Sequence, residues 1–372
     1  MTSITFETAA IADAIKKAGL VAPTRGEAFD KANGIVMDIF PDSDVQCVVR
    51  ATNLAVYTAE GVNAIQASGN EVRWRLAANI LKGVMESLPI GAGKNVTFAQ
   101  EGSEVKMQSG RMKASMRLID PSMYPNWDTF DPEGMSSIAG LGGKIALVEW
   151  ACLESPQPPL CGVYLDGEWA IATDKFKMAR VPCKVELKHP VTIPSGILSS
   201  VLRPLTDVSL AVRDTTLEIL VAELHQVQTI VFGVEYPAAQ IMKVMELEYP
   251  VEVEVAKQDL LSLINLALSM AGHERNPTVK MIFGRGEIAA MLRNAEVGFL
   301  GDVLEVPGQI GHNRVTLNFT PKILTDAISK APSARVTLAY NPDRLKMPFR
   351  VSDGSGYMAW IQPKNDLAGA ES

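Results

Sequence analysis

The side chains best suited to covalent or metal chemistry are scattered along this chain. The four histidines, His189, His225, His273 and His312, share no short spacing, and no His-Glu-x-x-His pair is present to hold zinc beside a general base. The cysteines Cys47, Cys152, Cys161 and Cys183 form no close-spaced pair, so neither a disulfide framework nor a zinc site is expected. No glycine-rich loop ends in Gly-Lys-Ser/Thr, which excludes a P-loop. Asp42-Ser43-Asp44 could offer two carboxylates to a metal, but it follows Phe40-Pro41 and reads as a solvated turn. Gly354-Ser355-Gly356 has the composition of a nucleophile turn without the strand-turn-helix setting that chemistry requires. The sequence therefore points away from an enzyme, with no catalytic residue, metal or cofactor expected.

The elements around these residues repeat. Short helical segments hold Ile80-Leu81, Ile197-Leu198 and Ile323-Leu324, and each is followed by a three-strand meander. The period is roughly a third of 372 residues, as three copies of one unit require. The first meander alternates through Val96-Phe98, Val105-Met107 and Met112-Ala114-Met116-Leu118. The second runs through Val208-Leu210-Val212, Leu217-Ile219-Val221 and Ile230-Phe232. The third runs through Val336-Leu338-Tyr340, Leu345-Met347-Phe349 and Tyr357-Ala359-Ile361. Period-two alternation places one side of each strand in a core, and Gly, Asn, Asp and Pro mark the turns.

Each copy also opens on a strand or helix of its own. Ile4-Thr5-Phe6 precedes a helix over about 9–18 with Gly19 as its stop, a second helix covers 145–153, and Val251-Val253-Val255 precedes a helix over about 257–270. The fold class is therefore α+β, with two helices on antiparallel sheet in each of three similar domains. The domains are expected at 1–128, 136–246 and 248–364, with linkers over 125–143 and 246–250 and a flexible tail at 365–372. Apolar residues make up 47% of the chain, enough for several cores, and no run approaches the length of a membrane helix. With no secretory signal visible at Met1, a cytoplasmic location is expected.

Several local matches carry a family resemblance. Thr52-Asn53-Leu54 precedes a strand, Ser87-Leu88-Pro89 closes a helix, and Ser109-Gly110-Arg111 leads into an alternating strand and then Tyr124-Pro125-Asn126-Trp127. Ala172-Thr173-Asp174 and Tyr236-Pro237 follow in order. With the threefold repeat, the chain resembles the bacterial-type DNA polymerase sliding clamps over roughly 1–365. That resemblance implies a head-to-tail homodimer closing into a six-domain ring around double-stranded DNA without reading its sequence. It also implies partners in a DNA polymerase and an ATP-dependent clamp loader. A clamp-like accessory for repair or phage late transcription is the alternative.

The resemblance also implies sites. Net charge is −7, so positive charge is needed only on helices lining the hole. The DNA-facing candidates are Lys16, Lys17, Arg25, Lys82, Arg203, Lys257, Lys322 and Lys330. A peptide-binding pocket would use Thr173, Lys175, Phe176, Met178, Pro237, Met242, Trp360 and Gln362. The family carries Gly-His-Arg-Leu where Lys175-Phe176-Lys177-Met178 stands, and Met-Pro-Met where Gln362-Pro363-Lys364 stands, so the pocket is retuned. Met112, Ala114, Met116 and Met270 would meet across the dimer interface, with Ala114 in place of a large aromatic.

Overall fold

The computed structural model describes residues 2–364 except 92, 127–129, 131, 204–206, 223, 270–276 and 295–297, and leaves out the side chains of 27, 197, 222, 293, 294 and 298–300. Met270 and the expected tail at 365–372 lie outside the described residues.

The chain runs through one sequence of elements three times. The first copy is β1 (Ser3–Glu7), α1 (Thr8–Val21), α2 (Glu27–Ala32), β2 (Ile35–Ile39), β3 (Cys47–Thr52), β4 (Val56–Val62), β5 (Gln66–Ser68) and β6 (Val72–Leu76). It ends with α3 (Ala78–Glu86), β7 (Asn95–Glu101), β8 (Glu104–Ser109) and β9 (Met112–Arg117). The second is β10 (Ser136–Ala139), α4 (Leu141–Val148), β11 (Gly162–Leu165), β12 (Trp169–Thr173), β13 (Lys177–Pro182) and β14 (Val191–Pro194). It ends with α5 (Ile197–Leu202), β15 (Asp207–Arg213), β16 (Thr216–Ala222) and β17 (His225–Ile230). A connecting helix α6 (Ala238–Met245) follows. The third is β18 (Val251–Ala256), α7 (Lys257–Leu268), β19 (Val279–Gly284), β20 (Glu287–Asn294), β21 (Gly298–Glu305) and β22 (Val315–Phe319). It ends with α8 (Pro321–Ser329), β23 (Arg335–Tyr340), β24 (Phe349–Ser352) and β25 (Met358–Ile361).

Pairing confirms the repeat. In each copy the opening strand lies antiparallel to the first strand of the meander: β1 with β7, β10 with β15, β18 with β23. Two hairpins also share one hydrogen-bond code. Thr52 Oγ1 donates to the Val56 carbonyl at 3.0 Å, accepts the Leu54 N–H at 2.9 Å, and Asn53 Oδ1 accepts from Val56 N at 2.7 Å. Thr173 Oγ1 donates to the Lys177 carbonyl at 2.7 Å, accepts the Lys175 N–H at 3.1 Å, and Asp174 Oδ1 accepts from Lys177 N at 2.9 Å. Leu54 and Lys175 both take the left-handed conformation, with φ of 74° and 82°. Short Thr and Asx side chains make such turns because they replace the backbone partners a tight bend removes.

Four sheets result. One has the order β5-β1-β7-β8-β9 and another β21-β20-β19-β22. The two eight-stranded sheets are β10-β15-β16-β17-β4-β3-β2-β6 and β14-β11-β12-β13-β25-β24-β23-β18. Each eight-stranded sheet joins strands of two copies, through β17 on β4 and β13 on β25. The chain divides into two compact units, 1–143 with 185–189 and 193–233, and 144–184 with 190–192 and 234–372. The second copy is thus shared between them. In the first unit α1 packs on α3 and α5; in the second α7 packs on α8. The α1 face holds Ile11, Ile15 and Ala18, all buried, at helical spacing.

The structure corrects some boundaries. Helix α1 does not stop at Gly19 but runs to Val21, and Pro23 follows the C-cap. Gly19 serves another purpose: a β-carbon there would sit 3.3 Å from Cδ of Lys82 on α3. Strand β24 starts at Phe349, leaving Leu345 exposed in the preceding turn. The expected linker at 125–143 contains β10, and α6 was not anticipated as a helix.

Gly142 marks a closer approach. A β-carbon there would lie 2.2 Å from the Leu202 carbonyl carbon, which is backbone and cannot swing aside. Replacing Gly142 with Ala should destabilise the chain by about 3 kcal/mol or prevent folding, as overpacking does. Urea denaturation of the variant should show a lower midpoint; an unchanged midpoint would contradict this packing.

Candidate functional site

The basic residues fall into two groups. Lys16 is exposed on α1, and with Lys82 of α3 it lines a groove of about 360 Å³ whose walls include Ala12, Ile15, Met85 and Ile90. Lys82 lies 3.8 Å from Glu86 on the surface of its own helix. Arg25 and Arg203 are exposed, and Lys322 is exposed with Glu154 at 3.9 Å. Such solvated pairs hold their charges loosely. The other three lysines are engaged inside the fold. Lys17 Nζ donates to Glu60 at 2.7 Å and pairs with Asp13 at 2.7 Å. Lys257 Nζ donates to the Ala331 carbonyl at 2.8 Å, and Lys330 Nζ to the Ala146 carbonyl at 3.2 Å.

Of the residues of the expected peptide pocket, Met178 and Trp360 join one filled cluster, while Phe176 and Met242, the candidate cap, are exposed. Met178 and Trp360 face each other across β13 and β25. They are 4% and 2% exposed and pack with Ile171, Tyr236 and Ile241. Tyr236 stacks on Tyr164 with centroids 4.7 Å apart. Phe176 is 69% exposed on the Thr173–Lys177 turn, and Met242 is 50% exposed on α6, next in sequence to Ile241. Lys175 is exposed and Pro237 half-buried. Gln362 ties the surface together: its N–H donates to the Phe176 carbonyl at 2.8 Å and its amide to the Lys346 carbonyl at 2.6 Å. Exposed Leu345 is next to Lys346 in sequence.

Two sheet edges are also available. Strand β9 ends one sheet and β21 another. On β9, Met112 and Ala114 are half-buried and Met116 buried, while Lys113, Ser115 and Arg117 are exposed, as is Arg111 before them. On β21, Asp302, Val303 and Glu305 are exposed. An unpaired edge is a template for another strand, and here one edge is basic and the other acidic.

Comparison with known structures shows which architecture this is. The fold matches the DNA polymerase sliding clamp of Bacillus subtilis with a TM-score of 0.84 at 17% identity, covering 98% of this chain and 100% of that one. It matches the DNA polymerase III beta subunit of Thermotoga maritima with a TM-score of 0.83 at 16% identity and the same coverage. The Helicobacter pylori beta clamp bound to a DNA ligase peptide gives 0.78 at 12% identity, again covering 98% and 100%. No protein-family model and no curated protein sequence matches the chain. The chain has the sliding-clamp fold.

Within that clamp fold, sequence reasoning passed over several surface residues. Asp302 and Glu305 carried no pattern beyond an ordinary charged strand. Glu60, Ala331 and Ala146, which engage Lys17, Lys257 and Lys330, lie dozens of residues away, where no local signal reaches. The exposed Ile80 and Ile90 are simply apolar residues in the sequence, yet Ile90 lines the groove that holds Lys16 and Lys82.

The Lys17 contacts belong to a buried polar seam. His225 on β17 is opposite Glu60 on β4 and lies 3.1 Å from Thr58 Oγ1. Burial, reinforced by the charge of Lys17 and opposed by Asp13, lowers the His225 pKa from 6.5 to about 4. Glu60 is raised by burial, with Lys17 pulling it back. Lys17 is raised: burial acts to lower it, and Asp13 and Glu60 outweigh that. The unfolded chain binds the His225 proton at the ordinary value and the folded chain only near 4. Stability is therefore complete above about 6.5 and falls as pH drops through this window, by about 3 kcal/mol. Urea denaturation from pH 7 to pH 4 should show this loss, and the His225→Gln variant should lack that component; parallel profiles would contradict it.

Proposed function

We propose that this chain is a DNA sliding clamp: two copies close head to tail into a ring that encircles duplex DNA and tethers a replicative polymerase. Each chain would supply three domains, at 1–128, 136–246 and 248–364. The observation that carries the reading is the end-to-end likeness to clamps of a chain whose element order repeats three times. Closure would pair β9 of one copy with β21 of the other. Arg111, Lys113 and Arg117 would then meet Asp302 and Glu305, and Met112, Ala114 and Met116 would be covered. With Ala114 in the strand, less apolar area is available there than a large aromatic would give, so charge carries more of the contact.

Retention of DNA needs no covalent step. Phosphates recur regularly along a duplex, so exposed lysines and arginines can attract it without fixing its position. Lys16, Lys82, Arg25, Arg203 and Lys322 suit this role. Lys17, Lys257 and Lys330 instead hold the fold. The acidic balance elsewhere disfavours wrapping of DNA around the outside. A cytoplasmic location fits this work, and no helix among the described residues is long and apolar enough to cross a membrane.

The Phe176–Met242 surface would take a short apolar peptide from polymerase or from an ATP-dependent clamp loader, as the Helicobacter pylori clamp takes a DNA ligase peptide. Both exposed side chains offer adaptable apolar area. A specialised accessory clamp, for repair or phage late transcription, is the second reading. It is favoured by Trp360, which fills the core under this surface. Run-length measurements with the cognate replicative polymerase separate the two.

Three outcomes test the proposal. The mass in solution should be near twice 40.2 kDa, shifting toward a single chain as salt rises; a monomer at low salt would overturn ring closure. Changing Lys16, Lys82 and Lys322 together to Gln should shorten retention on closed circular DNA several-fold, whereas unaltered retention would refute their role. Phe176→Ala and Met242→Ala should each weaken binding of a polymerase tail peptide about tenfold at unchanged stability. Trp360→Ala should instead cost about 3–5 kcal/mol of folding stability; equal stability of all three variants would contradict the division between cap and core.

A further inference from the structure

Arg180 is a half-buried cation with no carboxylate in direct contact among the described residues. It lies two residues beyond Met178 on β13, so both side chains share one face of the sheet, and it stands opposite Met358 as Met178 stands opposite Trp360. The guanidinium is therefore one step along the strand from the core beneath Phe176 and Met242. Its carbon lies 4.2 Å from the ring centre of Trp169 and 5.5 Å from that of Trp360. Nη1 donates to the Met245 sulfur at 3.1 Å and Nη2 to the Met358 sulfur at 3.3 Å. Nε is buried and has no hydrogen-bond partner. Among the described residues Arg180 forms no ion pair.

This arrangement leaves the charge poorly matched. Thioether sulfurs are weak acceptors, and a guanidinium has five N–H donors. Stacking on indole accounts for the flat faces of the group, while its edge still seeks oxygen. Burial and a second guanidinium, Arg350, disfavour the charged state of Arg180, and Asp166 only partly offsets them. Arg350 has an acid of its own: it bonds Glu252 and lies 4.8 Å from the Tyr249 ring centre, although its Nε is buried without a partner. Of the two arginines, only Arg350 makes an ion pair among the described residues; Asp166 acts on Arg180 from beyond ion-pair contact. Met245 and Met358 are unbranched and half-exposed, so they can move aside for a ligand oxygen.

We propose that Arg180, boxed by Trp169, Trp360, Met245 and Met358, is the receptor for one carboxylate of a partner peptide. The site would then select peptides that carry Asp or Glu beside their apolar side chains. This rests on reading the Phe176–Met242 surface as a peptide site. A single carboxylate fits better than a doubly charged phosphate group because one guanidinium is to be met and Asp166 already offsets part of its charge. It would dock two oxygens on the guanidinium fork, the geometry arginine favours.

The probes are four acetylated tripeptide amides: Leu-Phe-Glu, Glu-Leu-Phe and their Gln counterparts. Each is titrated at up to millimolar concentration into the full chain, following the Trp169 and Trp360 signals by fluorescence and NMR. At least one Glu peptide should bind about tenfold more tightly than its Gln twin, as a charge-assisted contact gives. Arg180→Met should reduce that peptide to the Gln level and leave the Gln peptides unchanged. Arg180→Lys, which keeps the charge and loses the fork, should retain part of the preference and guards against a folding defect in Arg180→Met. Equal binding of Glu and Gln forms, or an acid preference that persists in Arg180→Met, overturns the carboxylate receptor while leaving the peptide site standing. If none of the four binds, the peptide site itself falls and this inference with it.

Discussion

Two backbone seams govern this fold: β17 on β4, and β13 on β25. At each, strands from different copies of the repeat complete one another's hydrogen bonds, so a boundary in the sequence becomes the interior of an eight-stranded sheet. An edge left open there would expose a row of unpaired N–H and C=O groups. The second copy serves both seams and cannot be detached from either neighbour without opening a ladder. This is why the compact units cut through that copy and do not follow the repeat. The same logic leaves β9 and β21, at the ends of the smaller sheets, as edges available to another chain.

The seams also decide which polar groups can be spent on function. Beside the first, Thr58, Glu60, His225 and Lys17 occupy buried or half-buried positions and bond in pairs, Lys17 with Glu60 and Thr58 with His225. Beside the second, Met178 and Trp360 close an apolar core while Arg180, one step farther, has aromatic faces and sulfur atoms where an acid would ordinarily stand. One seam is polar, and the other is apolar with a cation at its margin.

Much of the architecture was legible because strands advertise themselves locally. Val105 and Met107 alternate with Lys106 and Gln108, and β8 follows them; the Thr52 and Thr173 turns repeat one short polar code. What stayed hidden depends on distance. Gly19 reads as a helix stop until Lys82 is seen lying against it. Leu345 and Met347 alternate like a strand, yet they sit in the turn before β24. Helix α6 is only two turns long, and its Ile241 gains a buried place from the far ends of the chain. The candidate sites were legible as neighbourhoods more than as roles. Trp360 and Met178 are cross-strand neighbours, but a sequence cannot tell the wall of a groove from the core behind it. Nor can it separate Lys16, left in water, from Lys17, claimed by a glutamate on another element.

The missing side chain at Gly19 has a mechanical consequence. Because nothing projects there, the methylenes of Lys82 can rest flat across the first helix, and their hydrocarbon is shielded where the two helices touch. Beyond that stem lies the groove that Lys82 lines with Lys16. A methyl group at Gly19 would come within 3.3 Å of Cδ, and the stem would have to give way by a few tenths of an ångström. The bare backbone at this one position thus makes room for a neighbour's hydrocarbon.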